Sequence, residues 1–126
     1  DAGGDSSAVQ DQLRNVQQIQ ATVRVFAAIL ADGSVVTWGN HDHGGGGIYG
    51  MPSSKVRDKL RNVQQIKAAL FAFAAILADG SVVTWGNPMG GGDSSEVQDQ
   101  LKSVQKVQST TNAFAAILAD GSVVTW

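Results

Sequence analysis

One string of thirteen residues, Phe-Ala-Ala-Ile-Leu-Ala-Asp-Gly-Ser-Val-Val-Thr-Trp, occurs three times without a change, at 26–38, 73–85 and 114–126. Asp-Gly between two apolar runs is a strong signal for a two-residue hairpin loop. A type I′ turn needs positive φ at both central residues, which glycine adopts freely and aspartate tolerates. That loop predicts Ala31 opposite Ser34, Leu30 opposite Val35 and Ala27 opposite Trp38. Because side chains alternate across a strand, one face would gather Ala27, Ile29, Ala31, Ser34, Val36 and Trp38. The other would gather Phe26, Ala28, Leu30, Val35 and Thr37, and both are mostly apolar. A hairpin with one face in water alternates apolar and polar; this ribbon reads as covered on both sides. A lone hairpin is marginal in water, so each copy needs layers above and below, and three copies supply them for one another.

Asp32 and Asp79 lie 47 residues apart (79 − 32), Asp79 and Asp120 41 apart (120 − 79). The segments upstream recur in register, with Asp5-Ser6-Ser7-Ala8-Val9, Ser53-Ser54-Lys55-Val56 and Asp93-Ser94-Ser95-Glu96-Val97 in matching places. The extra residues of the first period fall after Trp38, in a loop holding His41-Asp42-His43, four glycines and Ile48-Tyr49. Residues 1–126 thus form one repeat domain of units 1–40, 41–87 and 88–126. Each unit is predicted to hold a short helix, a strand and the Asp-Gly hairpin. Ser7 and Gln10 have capping-box spacing, and Val9, Leu13 and Val16 share a helical face. The strands are expected at 16–21, 63–68 and 104–108, although Val16-Gln17-Gln18-Ile19 does not alternate cleanly. Several strands per repeat of this period, with Trp near a strand end, indicate propeller blades. The expected class is all-β with short helices, either a partial β-propeller or an open stack of three blade-like repeats.

Val16-x-x-Ile19-x-Ala21 upstream of Asp32-Gly33-Ser34-Val35-Val36-Thr37-Trp38-Gly39 resembles the regulator-of-chromosome-condensation repeat, and the likeness spans nearly the whole chain in three copies. The resemblance implies blades of a seven-bladed β-propeller. The family's usual glycine is replaced by Thr22, Ala69 and Thr110, and its histidine by Val25, Ala72 and Ala113. Asn87-Pro88-Met89-Gly90-Gly91-Gly92-Asp93 stands where Asn-x-x-Gly-Gln-Leu-Gly is common. Apolar contacts are therefore expected where the family has polar blade-to-blade contacts. Three repeats cannot close a seven-bladed ring, and the last hairpin has no polar cap. The chain reads as a piece of a longer protein, its end strands or faces covered by a protein partner.

Chemistry has little to work with. The chain has no cysteine, which removes disulfides and thiolate metal sites. His41 and His43 are the only histidines, two apart beside a glycine run, and a metal would need further ligands on a rigid frame. The glycines at 44–47 and 90–92 lack the Lys-Ser/Thr ending of a phosphate-cradling loop and read as flexible insertions. Lys55, Arg57, Lys59, Arg61 and Lys67 against Asp58 and Asp79 give 53–87 a local charge of +3 (5 − 2). With no aromatics interleaved, this basic patch reads as a solvated face and nucleic acid is not an expected partner. Asp32, Gly33, Trp38, Asp79, Gly80, Trp85, Asp120, Gly121 and Trp126 repeat where turns and packing need them and are assigned structural roles. His41, His43, Ile48, Tyr49, Met51 and Met89, in the variable loops, are the candidate partner contacts.

No catalytic residue, cofactor or metal site is expected, and no apolar run reaches the ~18 residues of a membrane span; peripheral contact with a membrane-bound assembly stays open. The expected function is a non-enzymatic interaction or scaffold module, an accessory part of a larger protein or multi-subunit assembly. The resemblance implies an alternative, a regulatory propeller acting as a guanine-nucleotide exchange factor for a small GTPase or binding chromatin.

Overall fold

The computed structural model describes residues 4–39 and 52–126. Three antiparallel three-stranded sheets follow one another: β1 (Val16–Ala21), β2 (Val25–Leu30) and β3 (Val35–Gly39); β4 (Val63–Ala68), β5 (Ala72–Leu77) and β6 (Val82–Gly86); β7 (Val104–Ser109), β8 (Phe114–Leu118) and β9 (Val123–Thr125). A short helix precedes each sheet. It is α-helical in the middle unit, α1 (Ser54–Lys59), and a 3-10 helix at Ser7–Gln12 and Ser95–Gln100. The fold is all-β with short helices and three blade-like repeats, as expected from the repeat.

The hairpin turn differs from its prediction by one residue. Leu30 N–H donates to Ser34 O and Gly33 N–H to Leu30 O, which leaves Ala31, Asp32 and Gly33 as the loop. Only Gly33 is left-handed there (φ 82°), so this is a type I turn closed by a glycine bulge rather than a type I′ turn. The third member of the motif explains the preference. The Asp32 carboxylate accepts from both Ser34 N (2.9 Å) and Ser34 Oγ (2.6 Å), and Asp79–Ser81 and Asp120–Ser122 repeat the arrangement.

The longer loop slides the register, pairing Phe26 with Trp38, Ala27 with Thr37, Ala28 with Val36 and Ile29 with Val35. A one-residue slip moves a whole strand to the opposite face. Trp38 thus faces Phe26 and not the alanines, and the rings stack at 5.2 Å. Phe73–Trp85 and Phe114–Trp126 repeat the stack at 5.1 and 5.5 Å.

The irregular Val-Gln-Gln-Ile is a β-bulge: pairing jumps between Val16 and Gln18, and likewise at Val63/Gln65 and Val104/Lys106. An extra residue in one strand puts residues three apart on the same face, which is how Val63 and Ile66 both reach the core. The helix prediction is corrected in part. Val9 and Leu13 do pack on the first sheet, but Val16 belongs to β1. No capping box forms: Ser6 Oγ donates to Gln10 Oε1, and the one side-chain cap among these three helices is Ser53 accepting from Val56 N.

The sheets stack face to face. Val25, Ala27 and Ile29 of the first sheet pack on Val63, Ile66, Phe73, Ala75 and Trp85 of the second, with Leu60 filling the wedge. Ala72, Ala74, Ile76 and Val82 from the second sheet's other face pack on Val104, Val107, Phe114, Ala116 and Val124 of the third, with Leu101 in the matching wedge. The ribbons are apolar on both faces because the middle one is sandwiched.

The turn carboxylates make stability depend on pH. Hydrogen bonds from the serine hydroxyl, then from the serine amide, hold Asp32, Asp79 and Asp120 below the usual value of 3.8. A carboxylate whose pKa is lower folded than unfolded stabilises above the unfolded value, and the contribution is lost as pH falls through the folded one. The triple variant Asp32→Asn/Asp79→Asn/Asp120→Asn is therefore expected to flatten the fall in melting temperature below pH 3.8. A residual slope should remain from Asp5 and Asp93, which are lowered in the same way by Ser7 and Ser95. An unchanged slope would show that the turns are open in solution.

Candidate functional site

Identical residues end up in opposite environments according to whether another described sheet packs on their face. Val63 and Ile66 are 4% and 2% exposed, while their counterparts in the first sheet, Val16 and Ile19, are 38% and 50% exposed. At the other end Ile76 and Val82 are 5% and 2% exposed, and their counterparts Ile117 and Val123 are 40% and 60%. The first sheet's outer side is partly sheltered by its own helix, through Val9 and Leu13 on Ala28, Val36 and Trp38. The last sheet's outer side has no such cover, so the expectation that every ribbon is covered on both sides holds for the inner faces alone. The first and last described sheets present outward two apolar faces that correspond to the two halves of the internal joint.

Backbone hydrogen bonds cross that joint at fixed positions. Val63 N–H donates to Gly33 O and Val104 N–H to Gly80 O, both at 2.9 Å. In the other direction Val23 N–H donates to Leu70 O and Leu70 N–H to Thr111 O, both at 3.0 Å. Gly33 and Gly80 lie so close to the next sheet that an added Cβ would come within 2.9 Å of Asn62 Cα and 2.8 Å of Ser103 Cα. Gly121, the third equivalent, has nothing within 4 Å.

Three grooves run between the units. One of about 600 Å³ lies among Val56, Lys59, Leu77, Thr84, Ser94 and Gln98. The same groove one unit earlier, about 400 Å³, is lined by Val9, Gln12, Thr37, Trp38, Arg57 and Leu60. A third of about 150 Å³ runs along β1, β4 and β7, where Gln18, Gln20, Gln65, Lys67, Lys106 and Gln108 converge. The sequence reading had no role for that glutamine-lysine strip. Its signal was the polar pair after each strand-opening valine, which the bulge turns toward the strands' shared edge.

Lys55, Arg57 and Lys59 lie on α1, Arg61 just after it and Lys67 on β4. Lys59 lines the first groove, Arg57 the second and Lys67 the third, with Lys55 and Arg61 exposed on and just after α1. Met89 is 88% exposed on the 3-10 turn Pro88–Gly90. His41, His43, Ile48, Tyr49 and Met51 lie outside the described residues. Among the described residues no three His, Cys, Asp or Glu side chains are grouped to hold a metal, and no helix is long and apolar enough to cross a membrane.

The glycines at 90–92 are built in rather than a loose insertion. Gly91 O accepts from Trp126 Nε1 (3.1 Å), and Gly92 O accepts from Thr84 Oγ1 (3.2 Å). Thr84 also meets buried Ser94 (2.9 Å), which donates to Gln98, whose amide reaches Val82 O. A polar tie therefore survives at the second joint, where purely apolar contact was expected.

No protein-family model matches the chain, and no curated protein matches its sequence. Among solved structures it is similar to Prp20p of Saccharomyces cerevisiae, at 20% identity and TM-score 0.63 over 88% of this chain and 30% of that one. That protein has been studied for its binding to Gsp1p and histones, and yeast RCC1 (Prp20) has been solved bound to Kap60. It is also similar to the CRINKLY WD40 ectodomain of the Arabidopsis thaliana receptor kinase ACR4 (19%, TM-score 0.59, 90% and 36%). The computationally designed Ika4 protein is a third (17%, TM-score 0.54, 88% and 64%). The fold is that of regulator-of-chromosome-condensation β-propeller blades, and the chain spans about a third of the length of the first two.

Proposed function

We propose that this chain is a non-enzymatic protein-interaction module, an accessory part of a larger protein or assembly, that docks protein through its open sheet faces and the loops between blades. One observation carries the reading: Val16, Ile19, Ile117 and Val123 are exposed at positions that are buried or half-buried where another blade packs on them. Exposed apolar sheet surface of this kind marks an interaction site. Met89, exposed on the turn Pro88–Gly90, is a further candidate contact, and the candidates at 41–51 lie outside the described residues.

A pull-down comparing wild type with Ile117→Asp/Val123→Asp tests it. The substitutions are expected to deplete specific partners at least tenfold while Lys67→Glu does not. Identical recovery by all three proteins would sink the reading. The likeness to Prp20p favours a second one, contact with a small GTPase or chromatin; a GTPase or histone among the depleted proteins would select it.

A further inference from the structure

The glutamine-lysine strip follows the shared edge of β1, β4 and β7, and its chemistry is one-sided. The cause lies in the ladders. Ala69 N–H donates to Ala72 O and Thr110 N–H to Ala113 O. In an antiparallel pair the bonded residues alternate. Gln65 and Lys67 therefore bond to Ile76 and Ala74, and Lys106 and Gln108 to Ile117 and Ala115. Ile66, Ala68, Val107 and Ser109 turn their backbone groups the other way, to the shared edge. Side chains already occupy two of the carbonyls there. Gln18 Nε2 donates to Ile66 O (3.4 Å), and Ser109 Oγ donates to Ala68 O (2.8 Å).

Donors remain. The groove of about 150 Å³ has Ile66 and Val107 in its lining, so their edge N–H groups reach it beside Lys67, Lys106 and the glutamine amides. No carboxylate is among the lining residues. Lys67 is half-buried, and charge withdrawn from water is screened less by salt. A sheet edge that offers N–H groups beside cations makes a concavity suited to anions. At ~30 Å³ per water the groove holds about five waters, room for a single tetrahedral oxyanion and too little for a nucleotide.

We infer that this groove is a binding site for one tetrahedral oxyanion of the phosphate class. Lys67 and Lys106 supply the charge, and the glutamine amides with the N–H groups of Ile66 and Val107 supply the directed hydrogen bonds. The site lies along the inner strands between the sheets and uses neither of the faces proposed to dock protein, so the two readings stand or fall separately.

The repeat provides its own controls. The position of Lys67 holds Gln20 and Gln108 in the other sheets, and that of Lys106 holds Gln18 and Gln65. Lys67→Gln and Lys106→Gln thus install residues that the blade already accommodates, and circular dichroism checks that both variants fold. Calorimetric titration of the whole chain with inorganic phosphate, at an ionic strength held constant with chloride, is expected to show a single saturable site. Each variant should weaken it at least tenfold. Lys55→Gln removes the same charge from the exposed side of α1 and should leave binding unchanged. A folded wild type that takes up no phosphate overturns the site, and so does equal weakening by Lys55→Gln, which would reduce the effect to net charge. Titration with O-phosphoserine identifies the source: binding as tight as inorganic phosphate assigns the groove to a phosphorylated side chain, and weaker binding assigns it to the free anion.

Discussion

Gly80→Ala is expected to destabilise the chain by about 2–5 kcal/mol, whereas Gly121→Ala, the same change at the same turn position, costs about 1–2 kcal/mol. Both glycines are left-handed, at φ 83° and 84°, so the cost of forcing alanine into that conformation is common to the two. The difference is the neighbour. A Cβ on Gly80 would lie 2.8 Å from Ser103 Cα and 3.1 Å from Ser103 N, and that backbone can retreat only by opening the joint. A Cβ on Gly121 meets nothing. Gly33→Ala should resemble Gly80→Ala, because Asn62 Cα would be 2.9 Å away. Urea denaturation at dilutions where the chain is monomeric measures all three. Equal losses would mean that local strain alone sets the cost and that the sheets are not in contact at the turns.

How much of this could be read in the sequence depended on where the deciding contact lies. Strand limits and the sandwiching of the middle ribbon followed from exact repetition of an apolar hairpin, a signal local to each copy. The turn type did not. Asp-Gly alone fits two loops that differ by one residue, and Ser34, through two hydrogen bonds to Asp32, favours the longer one. That single residue moved Trp38 from the alanine face to a stack on Phe26. The helices kept their places but not their type: two are 3-10, short enough that packing of Val9 and Leu13 rather than backbone preference holds them.

The candidate surface was legible only as a class. Three uncapped repeats imply apolar faces that need covering, whereas the residue types typical of contacts stand in the loops, where recognition concentrates. The residues that stand exposed, Ile117 and Val123 above all, look identical in sequence to Ile76 and Val82. Nothing local distinguishes them. Their burial is set by whether another sheet packs on them, which is a property of the stack. The glutamine-lysine strip stayed hidden for a related reason, since Gln65 and Lys106 come together only when three bulged strands lie side by side.

Every copy of the ribbon is held to draw its stability from its neighbours, and Ile→Ala at the three equivalent positions measures that directly. Ile29 and Ile76 are 3% and 5% exposed inside the two joints, and Ile117 is 40% exposed on the open face. Truncating a buried isoleucine removes its transfer free energy and leaves a cavity, about 2–5 kcal/mol together, whereas an open site loses under ~1 kcal/mol. By urea denaturation of the monomer, Ile29→Ala and Ile76→Ala should each lose about 2–5 kcal/mol and Ile117→Ala less than ~1 kcal/mol. Equal, large losses at all three positions, or negligible losses at Ile29 and Ile76, would contradict the layered architecture.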